Sequence, residues 1–351
     1  MYPKSQGFDI DFRSWYVDQE DFLAKFWASK REIQEEWQID LSNLDIKNVV
    51  ANGAYGTLYK GVYNGREVAM KILGNVEDGH TTTAEAFALL QSFYRQVAVM
   101  QHLSHPNVIQ FHGASVGISG LKIPSKENSM EPSPSKACCV VLEYIPGETL
   151  RKHLIRNSRN KLTRRKAFKL ALDLARGLSY LHSKNIVHRN FTTENILLDI
   201  YGRPKIAGFR LARFEAQNHR DKTGDVGTPG YIAPEVLEGK SYNRKCDIYS
   251  FGICVWEIFS CDTPYADLRS SEVLSSVVQQ KLRPKFSKNC PSWLASIIKK
   301  CWDEDSEKRP EMKEVVEMLE TLLEEDEDND WWRFTPTIRG SFTPGYPYMH
   351  Y

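Results

Sequence analysis

A glycine-rich segment followed by a lysine has the residue types of a phosphate-binding site. The segment reads Ala51-Asn52-Gly53-Ala54-Tyr55-Gly56, and Lys71 follows it in a stretch of alternating apolar and polar residues. Glycines let backbone N–H groups approach phosphate oxygens without an intervening Cβ, and the lysine adds a positive charge. A hairpin with glycines at its turn would give the same pattern, so the segment alone is a weak signal. Its position ahead of Val68-Ala69-Met70-Lys71 favours phosphate binding.

The complete series of motifs resembles the protein kinase superfamily over about residues 47–323. After the glycine-rich segment and Lys71, the series continues with His188-Arg189-Asn190, Gly208-Phe209-Arg210, Ala233-Pro234-Glu235, Asp247–Gly252 and Arg309-Pro310. Finer features, including EEWQIDLSNLDI, GYIAPEV and KCWDEDSEKRP, are similar to the plant Raf-like mitogen-activated kinase kinase kinases. The resemblance implies a bilobal α+β fold. Its β-rich N-lobe would span about residues 47–145, and its helical C-lobe about residues 146–323.

The resemblance also locates two acidic positions that this sequence lacks. Kinases use the aspartate of His-Arg-Asp to accept the substrate proton and the aspartate of Asp-Phe-Gly to bind Mg²⁺. Asn190 and Gly208 stand at these positions. An amide does not accept a proton at neutral pH, and losing a positioned general base costs ~10²–10⁴ in rate. Glycine offers Mg²⁺ no ligand, so we expect no normal magnesium site, and Arg210 is a candidate counter-charge for phosphate in its place.

Three further departures concern the same phosphate end. Ala51 replaces the first glycine of the loop, and Thr192 replaces the lysine that neutralises phosphate in Ser/Thr kinases. Gln96 takes the place of the helix glutamate that pairs with the strand lysine. A glutamine accepts a hydrogen bond from Lys71 but brings no charge, which weakens the contact about twofold. We therefore expect ATP binding, if retained, to be weak.

The positions that hold adenine and the fold are kept. By resemblance, the nucleotide contacts are Ala51, Gly53, Gly56, Leu58, Ala69, Lys71, Leu142, Glu143, Ile145, Asn195 and Leu197. The residues that join or brace the lobes are Gln96, Met100, Phe111, His188, Phe209, their anchor Asp247, and an ion pair of Glu235 with Arg309. Thr223, in the activation-loop segment Phe214–Gly227, is a candidate phosphorylation site, although loops also carry threonines for ordinary turn reasons.

The hydrophobic pattern predicts the elements that position these residues. Residues 47–113 begin with alternating apolar and polar residues and a tight Asn64-Gly65 turn, which predicts an antiparallel β-meander. Helices dominate from Thr149 onward, with Thr163 as an N-cap. The predicted helices are Thr83–Leu103, a stripe between Ala167 and Leu181, Asp247–Phe259 buried all round, and segments near Ser270–Gln280, Ser292–Lys300 and Lys313–Leu323.

Three segments flank or interrupt the predicted domain. Residues 1–46 are predicted to form an N-terminal extension with a helix over Asp18–Trp37, which either packs on the domain or binds a partner. Residues 116–136, rich in Ser, Pro, Lys and Glu, are predicted to form a flexible surface loop. Residues 324–351 form an acidic run and an aromatic segment, predicted to be a flexible tail whose rings could dock on a surface.

Composition excludes several classes of function. With 41% hydrophobic residues the chain can build a core, and a formal net charge of +1 gives no reason to expect nucleic acid or an anionic membrane surface as a partner. The seven cysteines form no C-x-x-C pair, which favours reduced buried thiols over a metal site or disulfides. Without a signal peptide or a membrane-spanning run, we expect a soluble cytoplasmic protein.

Three functions remain open from the sequence. The first is a kinase-fold pseudoenzyme that acts as a scaffold or allosteric regulator of other protein kinases or signalling proteins. The second is a low-activity Ser/Thr kinase that transfers the ATP γ-phosphate to protein. The third is a nucleotide sensor that binds ATP without a metal. The first is the leading hypothesis because Asn190, Gly208 and Gln96 all affect the same end of the site.

Overall fold

A computed structural model describes residues 36–53, 56–73, 83–118, 121–124, 130–132, 137–215, 227–288 and 290–327. Thr223, most of the predicted N-terminal helix and the aromatic tail lie outside these residues. The described strands are β1 Leu44–Gly53, β2 Gly56–Tyr63, β3 Arg66–Leu73, β4 Phe111–Val116, β5 Lys122–Pro124, β6 Met130–Pro132, β7 Cys138–Glu143, β8 Glu148–Thr149, β9 Ile186–Val187, β10 Ile196–Leu198, β11 Pro204–Ile206 and β12 Arg213–Phe214.

The N-lobe is a five-stranded antiparallel sheet in the order β1-β2-β3-β7-β4. The predicted Asn64-Gly65 turn joins β2 to β3, with both residues at positive φ (48° and 76°) as such turns require. Cross-strand pairing places Leu58 opposite Lys71 and Ala69 opposite Leu142. Since directly opposed residues share a face, one side of the sheet carries all four of these side chains.

Helices follow the strands and build the C-lobe. They are α1 Thr83–Met100, α2 Leu150–Arg156, α3 Arg164–Ser183, α4 Pro234–Leu237, α5 Lys245–Ser260, α6 Ser270–Gln279, α7 Ser292–Cys301 and α8 Met312–Glu327. The Thr163 hydroxyl caps α3 by accepting a hydrogen bond from Lys166 N. Every residue of α5 from Cys246 to Ile258 is buried, as its apolar sequence predicts. The predicted α+β architecture is confirmed.

One predicted loop contains ordered structure instead. The insertion between β4 and β7 forms the β5–β6 hairpin, and Ile118, Leu121 and Ile123 are buried in a second core on the sheet with Ile39 and Ile46. The prediction of a flexible surface loop was therefore wrong for these residues. The Ser, Pro and Lys content concealed three well-spaced apolar side chains, whose burial stabilises the hairpin.

The chain before β1 is attached to the N-lobe. Trp37 belongs to a turn, so the predicted helix does not extend to this residue. Its ring packs edge-on against Phe93 and Tyr94 of α1, at centroid distances of 5.8 and 6.0 Å. Its carbonyl accepts a hydrogen bond from Ala114 N of β4. The segment therefore supports α1 and the sheet from outside.

Candidate nucleotide site

An apolar face between the lobes is formed where the sequence predicts an adenine pocket. Leu58, Ala69 and Leu142 share one side of the sheet, and Leu142 and Leu197 of β10 both pack against the core that extends through the two lobes. All but Ala69 remain partly accessible. Planar apolar ligands are held between such surfaces. These residues fit an adenine ring.

The hinge after β7 is fixed by one side chain. Glu143 Oε1 accepts hydrogen bonds from Gln110 N and Lys205 Nζ, each at 2.7 Å. The Ile145 carbonyl accepts from Gly147 N. Among the described residues, the Ile145 N–H donates to no other group, so a donor beside Leu142 is available to a ligand.

The glycine-rich loop is described on either side of Ala54 and Tyr55. Gly53 and Gly56 face each other at the ends of β1 and β2. Gly56 has φ +125°, and a Cβ there would lie 2.0 Å from the Ile72 carbonyl oxygen, so this position requires glycine. Gly53 has ordinary space around it. Ala51 is exposed and pairs with Leu58, so its methyl group points into no packed region.

Lys71 lacks the partner that the sequence suggests. Among the described residues, no carboxylate forms an ion pair with it, and Gln96 does not accept a hydrogen bond from it. Instead the Gln96 Nε2 donates to Met100 Sδ at 3.7 Å, and its buried Oε1 has no hydrogen-bond partner in the described structure. Burial lowers the pKa of Lys71, and the nearby charge of Arg210 acts in the same direction. Two cations therefore approach the phosphate end together.

Gly208, at the position of the magnesium-binding aspartate, has no metal ligand, and a neighbouring side chain occupies the space beside it. Gly208 adopts a left-handed conformation with φ +80°. A Cβ at this position would lie 2.4 Å from Cγ and 2.5 Å from Oδ1 of Asn195. The Asn195 side chain is held there because its Nδ2 donates to the Asn190 carbonyl at 2.9 Å. A single neutral amide oxygen does not make a Mg²⁺ site, which normally includes carboxylates, so these residues do not fit the metal.

Asn190 is bound to the end of the activation segment. Its Oδ1 accepts hydrogen bonds from Thr228 N at 3.2 Å and Thr228 Oγ1 at 2.9 Å. The amide thus joins two loops and offers no proton acceptor. Thr192, at the position of the phosphate-neutralising lysine, is fully buried and caps the 3-10 helix Thr193–Asn195. Its side chain is therefore directed into the fold rather than to a ligand.

The side chains predicted to join the lobes are packed together. Met100, Phe111, His188 and Phe209 are all buried in one core, and the His188 and Phe209 rings meet edge-on at 5.1 Å. His188 Nδ1 accepts from Asn190 N, so its Nε2 carries the proton and donates to the Ala207 carbonyl at 2.8 Å. Burial lowers the pKa of His188, in agreement with this neutral tautomer.

Two buried carboxylates brace the C-lobe. Asp247 accepts backbone hydrogen bonds from His188 N at 2.7 Å and Arg189 N at 2.8 Å, which fixes the loop that carries Asn190. Glu235 accepts two parallel hydrogen bonds from Arg309, both at 2.7 Å. Such bidentate geometry is the strong form of an ion pair.

Sequence reasoning missed three partners in this site. Lys205 binds the hinge carboxylate of Glu143, Thr228 binds Asn190, and the His182 ring contacts Asp247 at 3.1 Å. Each pair is separated by many residues in the chain, and no local spacing signals any of them. Only the fold brings these groups together.

Comparison with known proteins places these features in a family. A model of the protein tyrosine and serine/threonine kinase family matches residues 44–319. Serine/threonine/tyrosine-protein kinase HT1 of Arabidopsis thaliana is 34% identical over 307 residues, covering 88% of this chain and 73% of that protein. Serine/threonine-protein kinases STY17 and CTR1 of the same plant are 33% and 31% identical. The chain spans 47% and 33% of their respective lengths.

The matched region contains the series of motifs from the glycine-rich segment to Arg309-Pro310. Among the described helices, none is both long and apolar enough to cross a bilayer. The sheet, the helical lobe and the motif order agree with the family match. The chain belongs to the protein tyrosine and serine/threonine kinase family.

Proposed function

We propose that this chain is a pseudokinase that regulates or scaffolds phosphorylation signalling without transferring phosphate efficiently. The contact between Gly208 and Asn195 carries the proposal. Phosphoryl transfer depends on positioning and on metal charge, and here a side chain fills the space beside the residue that should bind the metal. Losing that charge costs more than losing the general base alone.

The second support is the state of Asn190 and Lys71. The side-chain oxygen of Asn190 accepts a hydrogen bond from Thr228, and Lys71 has no carboxylate partner in the described structure. Neither arrangement assists a substrate hydroxyl. The packed stack around His188 and Phe209 nevertheless keeps the lobes in a defined arrangement. A rigid surface of this kind suits a cytoplasmic regulator that binds other kinases or signalling proteins.

Weak ATP binding without a metal accompanies the proposed role. The apolar face and the Ile145 N–H suit adenine, while Lys71 and Arg210 supply positive charge at the phosphate end. If ATP binding changes the shape of the protein, the chain acts as a nucleotide sensor. The nucleotide sensor differs from a passive scaffold only because its shape changes when ATP binds.

The experiment is a thermal-shift titration with ATP, with and without Mg²⁺, beside an autophosphorylation assay on the same protein. We expect stabilisation by ATP that does not increase with Mg²⁺, and no phosphate incorporation. Magnesium-dependent autophosphorylation that disappears in Lys71→Met would overturn the pseudokinase proposal. The absence of any ATP response would remove the sensor version and leave the scaffold.

A low-activity Ser/Thr kinase is the second candidate, favoured by the assembled stack and by the relatives' names. Arg210, close enough to Lys71 to affect its pKa, would then supply part of the missing charge. Comparing the wild type with Asn190→Asp separates the two candidates. If the wild type already transfers phosphate to protein and Arg210→Ala abolishes the transfer, the low-activity kinase is correct.

A further inference from the structure

The segment that forms α2 and the start of α3 carries a strong positive charge. Residues 151–166, reading RKHLIRNSRNKLTRRK, contain eight Lys or Arg and no Asp or Glu. Three of these cations are neutralised by partners elsewhere in the C-lobe: Arg151 by Glu257, Arg156 by Glu148 and Lys161 by Asp262. Arg164 and Arg165 also have interaction partners, so Lys152, Arg159 and Lys166 carry the unpaired charge of the segment among the described residues.

Two exposed lysines at the start of α3 carry unpaired positive charge. Lys166 and Lys169 are one turn apart on the helix, and no described carboxylate lies within ion-pair distance of either ammonium group. Lys152 of α2 adds a third such cation. We call Lys152, Lys166 and Lys169 the basic face. Asp173, four residues further along α3, interacts with the charge of Lys169 and offsets it in part, whereas exposed like charges otherwise repel one another.

An open groove with a mixed polar and apolar lining, which includes the carboxylates of Glu148 and Asp199, adjoins the basic face. It runs between α2, the first turn of α3 and the β10–β11 turn, and Lys166 forms part of its lining. Ile200 and Tyr201 line the opposite side and are 68% and 76% exposed. Ile155 of α2 is 55% exposed as well. Large apolar side chains grouped at the surface mark a binding site.

Helix α8 runs antiparallel to α3 and leads the chain towards this groove. It begins near the C-terminal end of α3, because Glu311 pairs with Lys245 of α5 and His182 of α3 contacts Asp247 of the same helix. Further along, Glu320 pairs with Arg176 at 2.7 Å. Glu327 lies seven residues after Glu320, and Lys169 lies seven residues before Arg176. In antiparallel helices these two residues lie side by side, about 10 Å along the helices from the Glu320–Arg176 pair.

The end of α8 and the sequence that follows it have the opposite charge and a high aromatic content. Residues 324–330 contain six acidic residues out of seven, of which 324–327 form the end of α8, and Trp331 and Trp332 come next. From Glu327 to Trp331, four residues reach up to about 14 Å when extended. Crossing from α8 to α3 takes about 8–10 Å, and Lys166 lies roughly 5 Å beyond Lys169 along α3, so the straight distance of about 11 Å is shorter than this reach. The tryptophans are therefore within reach of the groove.

We propose that the C-terminal tail of this chain docks on its own C-lobe. The acidic run lies along Lys166 and Lys169, and the Trp331 and Trp332 rings cover Ile200 and Tyr201. Charge complementarity sets the register, and burial of two tryptophans supplies most of the affinity. The occupant is the same molecule, since the direction of α8 delivers the tail to the groove at a high effective concentration.

Hydrogen exchange measured by mass spectrometry on the full chain tests the proposal. We expect amides of residues 331–335 to exchange at least about tenfold more slowly than in Lys166→Glu/Lys169→Glu. Lys308→Glu/Lys313→Glu makes the same charge change at exposed positions near the start of α8 and should retain the slow exchange. Replacing the six acidic residues of the run by lysine in the Lys166→Glu/Lys169→Glu protein should restore the slow exchange of the tail amides.

Two outcomes would overturn the proposal. One is identical exchange of residues 331–335 in the wild type, the charge-reversed protein and Ile200→Ser/Tyr201→Ser. The other is slow exchange that depends on protein concentration, with a dimer in light scattering, which would assign the tail to a second copy. Circular dichroism checks that each variant is folded, and the replaced lysines, Ile200 and Tyr201 are all exposed.

Discussion

At the scale of single residues, the contact of Gly208 with Asn195 determines what this site can hold. Loss of a carboxylate usually leaves space, into which water or a replacement side chain can enter. Here Asn195 occupies the space, and the Asn190 carbonyl holds its amide in place. The glycine at position 208 therefore both removes the metal ligand and leaves the space that the Asn195 side chain occupies.

Gly208→Asp is expected to destabilise the protein without restoring Mg²⁺ binding. Aspartate tolerates a left-handed backbone, so the cost comes from its Cβ, which would lie 2.4 Å from Asn195 Cγ. Relief of such a clash typically costs about 1–3 kcal/mol. Chemical denaturation measures the free energy of unfolding, and calorimetric titration measures Mg²⁺ binding.

Gly202→Asp is the matched control for this substitution. Gly202 has φ +74°, close to the value at Gly208, but a Cβ there meets nothing within 4 Å. We expect the control to lose less than about 1 kcal/mol. Equal losses at the two positions would show that the backbone conformation, and not Asn195, opposes the aspartate.

At the scale of elements, the loop between β9 and the 3-10 helix Thr193–Asn195 depends on a neutral histidine. His188 donates to Ala207 and accepts from Asn190 N, and only the neutral ring can do both. Burial lowers its pKa in the folded state. The folded protein therefore binds fewer protons than the unfolded chain below the ordinary histidine pKa of about 6.5, and acid favours unfolding.

We expect the wild type to lose stability more steeply than His188→Phe between pH 6.5 and pH 5.5. The extra loss is about 1 kcal/mol, since one additional proton is taken up by the unfolded chain. Denaturation curves at the two pH values give the difference. His102→Phe, at an exposed position, should keep the wild-type slope, and a His188→Phe slope equal to that of the wild type would contradict the assignment.

The elements also show how far sequence reasoning extends. The buried helix α5, the Thr163 cap and the Asn64-Gly65 turn follow from local patterns, because each depends on residues a few positions apart. The β5–β6 hairpin does not, since its apolar residues are sparse and their burial depends on Ile39 and Ile46. The unsatisfied Gln96 Oε1 is equally hidden, because the position of α1 relative to Lys71 decides whether the two groups meet.

At the scale of the whole molecule, an ion pair ties the hinge to the C-lobe. Glu143 ends β7 of the N-lobe sheet, and Lys205 lies in β11 of the C-lobe. Their side chains are 22% and 18% exposed, so water screens the pair only in part. Because Glu143 also binds Gln110 N, any change in the angle between the lobes must displace this carboxylate.

Lys205→Gln is expected to lower the free energy of unfolding by about 1–2 kcal/mol, because it leaves a partly buried carboxylate without its cation. Denaturant unfolding measures the loss. Lys281→Gln breaks an ion pair of the same 2.7 Å length at 66% and 53% exposure, and exposed pairs are worth less than about 1 kcal/mol. If both substitutions cost the same, the hinge pair has no special role.

The contact between Gly208 and Asn195 also bears on how the sequence can change over evolutionary time. An ancestor with an aspartate at position 208 must have held its asparagine elsewhere, because both side chains cannot occupy the present space. Once the asparagine had moved in, a reversion at position 208 alone would clash and be removed by selection for stability. Return to a metal-binding ancestor then requires an aspartate at position 208 together with a movement of the Asn195 side chain away from the Asn190 carbonyl. Regaining the magnesium site is thus coupled to breaking the hydrogen bond that holds Asn195.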